Sequence, residues 1–174
     1  GRTYGLPVVI SRCSNNYGPR QHPEKFIPTV ILNALRDRPV PIYGDGLYVR
    51  DWIHVLDHCR AIDVIMHKGK AGEVYNFGAR SERVNLDIVS RIVVLLGVSP
   101  TLVEHVTDRP AHDRRYAMDA AKAERELGWR PARTFEQGLA ETVRWYVEHE
   151  DWWRPVKDGS YRDFYRRWYE ERQA

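Results

Sequence analysis

Cysteine is scarce in this chain of 174 residues, which contains only Cys13 and Cys59. The two lie far apart and form no C-x-x-C pair, a pattern typical of a reducing compartment rather than of a disulfide-rich domain. We therefore expect two small core residues and a cytoplasmic protein. No apolar run reaches the length of a membrane span, and no charged-then-apolar leader opens the sequence. Neither a membrane partner nor a secretory signal is expected.

A strong charge imbalance is also missing. Lys and Arg number 27 against 24 Asp and Glu, a surplus too small to indicate a nucleic-acid partner. Hydrophobic residues make up 43% of the chain and charged residues 29%, an ordinary globular mixture that argues against general disorder. The length alone predicts one domain.

Two motifs of dinucleotide-dependent enzymes are absent from the sequence. It contains no G-x-G-x-x-G or G-x-x-G-x-x-G loop, and none of its ten tyrosines has a lysine four residues later. His54 and His58 have the spacing of a zinc-protease helix, but Val55 stands where that motif has Glu. We expect capping or partly buried histidines there, and no metal.

Strand-like and helix-like segments alternate along the chain, which favours an α/β fold. Capping signals are expected at Asp119 and in a Thr134–Gln137 capping box, and residues 14–19 should form a polar loop. β-branched and apolar runs predict strands at residues 6–12 (buried), 39–43, 73–77 and 102–106. Apolar residues at helical spacing predict helices at residues 27–36, 55–67, 86–96, 119–127 and 135–148.

The segment SNNYGP, at residues 14–19, follows the first predicted strand. Ligands of α/β sheets bind beyond the carboxyl ends of strands. The amides of Asn15 and Asn16 both donate and accept hydrogen bonds, so they suit a hydroxyl-rich or amide ligand. A plain Asx turn would explain the same residues.

Basic residues provide candidates for phosphate binding. Lys25 lies near the start of a predicted helix, whose N-terminus attracts anions, although a solvated lysine is the alternative. Tyr43 at a strand end and Arg50 a few residues later could hold a base and a phosphate, because arginine binds phosphate through paired hydrogen bonds. A salt bridge between Arg50 and Asp51 is an equally good interpretation.

The densest charge cluster is DRPAHDRRY, at residues 108–116. Its three arginines and one histidine could clamp a diphosphate, with the acids aligning the arginines, or the loop could simply pair with itself. Further along, aromatic residues at helical spacing are more typical of core packing than of a ligand site. They are Tyr161, Phe164, Tyr165, Trp168 and Tyr169.

Five segments together resemble the C-terminal half of the dTDP-glucose 4,6-dehydratases, a family of extended short-chain dehydrogenase/reductases. They are CSNNYGPRQHPEKFIP (13–28), PIYGDGLYVRDWIHVLDH (41–58), AGEVYNFGA (71–79), DRPAHDRRYAMD (108–119) and ELGWRP (126–131). The resemblance covers essentially the whole chain. SNNYGP followed by PEK, and DRP-x-HDRRY, are specific to this family, whereas the wider superfamily shares looser forms.

The resemblance implies a site for a dTDP-sugar. Asn15 would contact the substrate, Asn16 would lie near the nicotinamide of NAD, and Arg50 and Arg109 would bind the diphosphate. Lys25 and Phe26 would line the nucleotide-sugar cleft, and Pro41, Ile42 and Tyr43 would sit at the base. The nucleotide pocket would be completed by Asn85, Asp108, Pro110, Ala111 and His112, and closed by Tyr161. The family usually has Gly where this chain has Ala111, which matters if that loop needs positive φ.

The resemblance also implies a division of the chain. The last strands of a Rossmann-type sheet would lie at about residues 8–12 and 73–78, beside a small mixed α/β substrate-binding domain. Residues 1–20 and 50–80 would contribute to the Rossmann lobe. Residues 21–49 and 81–174 would form the substrate-binding lobe.

In the reaction that the resemblance implies, NAD takes a hydride from C4 of glucose, water is eliminated across C5 and C6, and the hydride returns to C6. The family's Tyr-x-x-x-Lys pair, Asp-Glu pair and glycine-rich loop all lie upstream of SNNYGP. We therefore expect a nucleotide-sugar-binding portion with no catalytic residue, inactive alone and with exposed apolar surface. A homodimer is implied for the intact enzyme only. The alternatives are part of another NAD-dependent nucleotide-sugar epimerase or decarboxylase, and a non-catalytic nucleotide-binding module.

Overall fold

The computed structural model describes residues 3–108, 113–157 and 159. The strands are β1 (Ile10–Cys13), β2 (Asn15–Tyr17), β3 (Val40–Tyr43), β4 (Val49–His54), β5 (Val74–Phe77), β6 (Glu82–Val84), β7 (Val103–Val106) and β8 (Arg115–Tyr116). The helices are α1 (Phe26–Leu35), α2 (Val55–Lys68), α3 (Asn85–Leu96), α4 (Ala121–Leu127), α5 (Phe135–Glu148) and α6 (Glu150–Lys157), with a 3-10 turn at Pro100–Leu102. None of these helices has the length and apolar character needed to cross a bilayer.

β1 and β2 follow each other on the chain but have different partners. β1 pairs in parallel with β5, whereas β2 pairs in parallel with β4. The change occurs at Ser14, whose N–H still donates to the carbonyl of Phe77 over 2.9 Å. The predicted loop at residues 14–19 is therefore wrong for β2, because its backbone pairs with β4 and the Tyr17 side chain is buried.

β4 is the best-connected strand. Besides β2, it pairs with β6 in antiparallel and with β8 in parallel orientation, while β3 pairs in parallel with β7. β8 lies inside the segment that the sequence predicted as a charged loop. The parallel pair places the carboxyl ends of β2 and β4 at one edge, where β2 continues into the loop before α1 and β4 runs directly into α2.

In the described part of the chain, the larger of two apolar cores is formed by α1, α3 and α5 on β3. Its fully buried residues include Ile27, Ile31, Ile88 and Leu139, at the helical spacing that the sequence showed. α5 begins with the predicted capping box, in which Thr134 and Gln137 satisfy each other's backbone N–H groups.

The second core lies between α2, α4 and β5. Trp129 packs edge-on against Phe77 with ring centroids 5.1 Å apart, and its indole N–H donates to the carbonyl of Asp57. The expected division of the chain assigned residues 81–174 to a different lobe from residues 50–80. Ala120, Ala123, Leu127 and Trp129 bury their side chains in one core with residues of α2 and β5, and the division into lobes stays a prediction.

β1 and the residues before it are more exposed than predicted. Leu6, Val8 and Ile10 are 60%, 45% and 47% exposed, since in the described part of the chain β1 has a strand partner on one side only, β5. The prediction of a buried strand is wrong here, while the expected exposed apolar surface is present. The prediction that both cysteines are core residues is also wrong: Cys59 is exposed and Cys13 is half-buried.

Candidate functional site

A cleft of about 620 Å³ opens where the ends of β2, β3 and β4 meet the first turns of α1 and α3. Its volume is in the range of small-molecule sites. The lining residues are Asn15, Asn16, Gln21, Glu24, Lys25, Phe26, Thr29, Val30, Pro41, Tyr43, Arg50, Trp52 and Asn85.

Eight residues singled out from the sequence come together in this cleft. They are Asn15, Asn16, Lys25, Phe26, Pro41, Tyr43, Arg50 and Asn85. Ile42 does not join them: its side chain is 1% exposed and belongs to the larger core. Side chains alternate along a strand, so Pro41 and Tyr43 face the cleft while Ile42 faces away from it.

Asp108 lies beside the cleft without lining it, and its carboxylate accepts a hydrogen bond from the hydroxyl of Tyr48. The other residues implied by the resemblance lie outside the described residues. They are Arg109, Pro110, Ala111, His112 and Tyr161.

Both the nitrogen and the oxygen of the Asn16 side-chain amide have hydrogen-bond partners within the protein. Its Nδ2 donates to the carbonyl of Ser14 (3.2 Å) and to Sγ of Cys13 (3.3 Å), while Nδ1 of His58 lies 2.9 Å from its Oδ1. Burial lowers the pKa of His58, which favours a neutral imidazole whose Nδ1–H donates to the amide oxygen. The backbone carbonyl of Asn16 accepts a further hydrogen bond from Gln21 Nε2 over 2.7 Å. β2 therefore presents Asn16 to the cleft in a defined orientation.

Aromatic rings form one wall of the cleft. Phe26 stacks on Trp52 with ring centroids 6.1 Å apart and an interplanar angle of 28°. Trp52 in turn meets Tyr17 edge-on at 6.3 Å. Such a wall offers a flat apolar surface of the kind that a nucleobase stacks on.

Positive charge enters the cleft from two elements. Lys25 occupies the N-cap position of α1, and its side chain makes no capping hydrogen bond there. Arg50 projects from β4, and its Nη1 donates to the Val49 carbonyl. Asp51 was the ion-pair partner that the sequence suggested for Arg50. Its side chain is 1% exposed and accepts hydrogen bonds from the backbone N–H groups of Ala79 and Ser81, at 3.2 and 2.7 Å. The Asp51 carboxylate thus stabilises a turn of the backbone, and Arg50 faces the cleft.

Three cleft residues carry buried polar atoms without a hydrogen-bond partner in the described part of the chain. These atoms are Oε1 of Gln21, Nε1 of Trp52 and Oδ1 of Asn85. Buried polar atoms normally have a hydrogen-bond partner, either a protein group or an ordered water, so unsatisfied ones indicate a place for a further partner. The cleft therefore combines unsatisfied donors and acceptors with cations and an aromatic wall. Within the described ranges, no three His, Cys, Asp or Glu side chains are placed to share a metal ion.

His54, the other histidine of the spaced pair, has a structural position. It is 2% exposed, and its Nδ1 accepts the N–H of Leu56 at the start of α2. His54 therefore caps α2, as one of the two roles predicted from the sequence.

The sequence-based interpretation missed five lining residues, Gln21, Glu24, Thr29, Val30 and Trp52. Thr29 lies one helical turn after Phe26, and Trp52 lies two positions after Arg50 in the same strand. Both spacings put side chains on a shared face and would have been usable signals. Gln21 has no such signal, because its place depends on its bond to Asn16.

The sequence is similar to that of known sugar-nucleotide enzymes. Residues 1–142 match the family model described as GDP-mannose 4,6 dehydratase. The chain is 51% identical to the dTDP-glucose 4,6-dehydratase of Salmonella typhimurium over an alignment of 179 positions. The alignment covers 99% of this chain and 50% of that protein. The chain spans about half the length of the curated relatives that it matches.

Solved structures share the fold. The dTDP-glucose 4,6-dehydratase of Streptomyces venezuelae with NAD and TYD bound matches with a TM-score of 0.87 and 50% identity, over 89% of this chain and 48% of that chain. The UDP-glucose 4-epimerase of Thermotoga maritima with UDP-glucose matches with a TM-score of 0.80 and 33% identity. This match covers 84% of this chain and 48% of the epimerase chain. The expected α/β fold with strands of a Rossmann-type sheet is confirmed by these matches.

Proposed function

Because the chain belongs to the GDP-mannose 4,6-dehydratase family, we propose that it is the nucleotide-sugar-binding part of a dTDP-glucose 4,6-dehydratase. The complete enzyme would convert dTDP-glucose into dTDP-4-keto-6-deoxyglucose with bound NAD. The observation that carries the proposal is the convergence of eight dispersed residues, from Asn15 to Asn85, on one cleft.

The cleft matches the three parts of such a substrate. The aromatic wall of Phe26 and Trp52 suits the base. Arg50 is placed to bind the diphosphate by paired hydrogen bonds. Asn15 and Gln21 supply the amide donors and acceptors that hydroxyl groups of a sugar need.

NAD fits this chain only in part. Asn16 is held in a fixed orientation at the cleft, as a contact for a nicotinamide requires. However, the sequence holds no glycine-rich phosphate loop and no Tyr-x-x-x-Lys pair, so these residues do not make up a dinucleotide site by themselves. NAD would supply and take back the hydride in the complete enzyme. We assign this chain the binding and orientation of the substrate, and no step of hydride transfer.

Two further features belong to the proposal. A cytoplasmic location is supported by two free cysteines, one of them exposed. A homodimer of the complete enzyme is supported by the family resemblance alone.

Calorimetric titration of the chain with dTDP, UDP and GDP tests the substrate class. We expect dTDP to bind most tightly, and Arg50→Ala to weaken its binding about tenfold or more, as expected for a lost charge-assisted hydrogen bond. Arg38→Ala, at an exposed position outside the cleft, serves as the matched control and should bind like the unchanged chain.

The other outcomes separate the alternatives. Tighter binding of UDP than of dTDP would favour the interpretation that the chain is part of an epimerase or decarboxylase. The 33% identical UDP-glucose 4-epimerase is a solved structure of that kind. Formation of a 4-keto-6-deoxy sugar by the complete protein would distinguish an enzyme from a non-catalytic binding module. Absence of binding to all three nucleotides would refute the proposal.

A further inference from the structure

Trp52 belongs both to the wall of the cleft and to the larger core. The residue lines the cleft, yet it is only 4% exposed and packs within the larger core. Its indole Nε1–H can only donate, and it has no hydrogen-bond partner in the described part of the chain. A buried donor without an acceptor costs free energy in a folded protein. The wall of the cleft therefore contains a donor that the fold leaves unsatisfied.

The other buried tryptophans within the described ranges have satisfied indole N–H groups. Nε1 of Trp129 donates to the carbonyl of Asp57 over 3.2 Å. Nε1 of Trp153 donates to the carbonyl of Tyr146 over 2.8 Å. Both residues are as buried as Trp52, and neither lines the cleft. The feature that separates Trp52 from these two is its place in the wall of the cleft, which points to an acceptor on a ligand.

Two neighbouring rings hold the indole of Trp52 in place. Phe26 stacks on it with ring centroids 6.1 Å apart, and Tyr17 meets it at an interplanar angle of 82°. The Tyr17 hydroxyl donates its own hydrogen bond to the carbonyl of Phe135. An indole that is already held by packing loses little conformational freedom when its N–H binds a ligand. Trp52 is therefore a preorganised donor.

The strand register places Trp52 beside the residues proposed to contact the diphosphate and the sugar. Arg50 lies two positions earlier on β4, so the two side chains share a face of that strand. Asn15 is the register partner of Trp52 on β2, the neighbouring parallel strand. All three residues line the cleft. In a nucleotide sugar, the phosphate that carries the sugar lies between the first phosphate and the sugar, as Trp52 lies between Arg50 and Asn15.

We infer that Nε1–H of Trp52 donates a hydrogen bond to the sugar-bearing phosphate of the bound nucleotide sugar. A phosphate oxygen is charged, and hydrogen bonds to charged acceptors are stronger than those to neutral ones. The ligand then supplies the acceptor that the described part of the chain lacks. The inference rests on the proposed function, and it adds to the aromatic wall a polar contact that stacking of the base does not provide.

Calorimetric titrations of Trp52→Phe test the inference, because Phe keeps an aromatic ring beside Phe26 and removes the N–H. Three ligands are compared: dTDP carries both phosphates, dTMP carries only the first, and thymidine carries none. We expect the affinity for dTDP to fall about tenfold, as for a lost hydrogen bond to a charged group. The affinities for dTMP and thymidine should not change. Equal losses for all three ligands would mean a merely structural role and would overturn the inference, as would an unchanged affinity for dTDP.

Trp129→Phe is the matched control, because the same substitution removes an indole N–H that already has a protein acceptor. We expect its affinity for dTDP to stay unchanged and the melting temperature of the free protein to fall. Trp52→Phe should lower the melting temperature less, because the N–H that it removes has no partner to lose. The reverse order of melting temperatures would contradict an unsatisfied indole in the free protein and would overturn the inference.

Nuclear magnetic resonance of the unchanged chain keeps the test independent of how the variants fold. We expect the indole ¹H signal of Trp52 to move downfield and exchange more slowly at saturating dTDP, and to respond little to thymidine. The indole signal of Trp129 should stay in place. An unchanged Trp52 signal at saturating dTDP would overturn the inference and leave the proposed function intact. Failure of the chain to bind dTDP at all would refute the proposed function, and this inference with it.

Discussion

Nδ1 of His58 lies 2.9 Å from Oδ1 of Asn16, so a residue on α2 holds the amide of a residue on β2 at the edge of the cleft. The two are 42 positions apart in sequence. The contact joins the helix of the second core to the strand whose Asn15 and Asn16 side chains line the cleft. We expect the orientation of Asn16 to depend on it.

His58→Ala should release the Asn16 side chain. The amide would keep its short-range bonds to Ser14 and Cys13 and lose the donor that fixes Oδ1. The side-chain ¹⁵N–¹H signals of Asn16 should shift and show faster hydrogen exchange. The side chain of Asn33, whose Nδ2 bonds the Pro39 carbonyl, is the internal control and should not change. An unchanged Asn16 signal would contradict this account.

Lowering the pH should destabilise the fold partly through His54. Burial, and then the charge of Arg133, lower the pKa of His54 below its ordinary value of 6.5. The unfolded chain therefore takes up a proton at a pH where the folded chain does not, and the free energy of unfolding falls as pH drops below 6.5. Urea denaturation at pH 7 and pH 5.5 measures this loss.

His54→Asn isolates that contribution, because Asn keeps a side-chain oxygen that caps α2 and does not titrate. The variant should show a shallower fall in stability between the two pH values. An equally steep fall would mean that other groups, such as His58, cause the pH dependence.

Asp57→Ala should destabilise the protein strongly. This carboxylate is 1% exposed and accepts the backbone N–H groups of Ala132 and Arg133, both at 3.1 Å. Removing it leaves two part-buried backbone donors without their acceptor, at a cost of about 2–4 kcal/mol in the free energy of unfolding. Asp63→Ala, at an exposed site on the same helix, should cost less than about 0.5 kcal/mol. Similar losses for the two variants would contradict the assignment of Asp57 as a buried support.

Thr134→Ala should lower stability by about 1 kcal/mol, because the capping box of α5 loses its acceptor for the Gln137 N–H. Thr134→Ser keeps the hydroxyl and should restore most of that loss. Denaturant titrations of the three proteins compare the values. No difference between the Ala and Ser variants would show that the cap does not stabilise α5.

The sequence predicts those elements whose signals are local. α1, α2, α3 and α5 carry apolar residues at helical spacing, and the structure places each within one residue of the predicted bounds. β4 was not predicted as a strand, because its Asp51 is buried only through N–H groups that Ala79 and Ser81 bring from a distance. Burial of a charge of this kind depends on tertiary partners and leaves no local pattern.

The candidate site shows the same limit. Family resemblance indicated Asn15, Lys25 and Arg50, and the fold brings them to one cleft. Gln21 was missed because its place depends on its contact with Asn16, whereas the two-residue spacing of Trp52 from Arg50 on β4 was a signal that went unused. The local pattern around Ile10 predicted a buried strand, which forms only where neighbouring strands cover it, and its exposure fits only the apolar surface that the family resemblance implied.

Nuclear magnetic resonance titration of ¹⁵N-labelled chain with dTDP tests the central claim most directly. We predict that the backbone amides of Asn15, Lys25, Tyr43, Arg50 and Asn85 shift together and saturate with a single affinity. Signals of α4, which lies in the second core, should stay in place. Shifts confined to surfaces outside the cleft, or none at saturating dTDP, would contradict the assignment of this cleft as the nucleotide-sugar site.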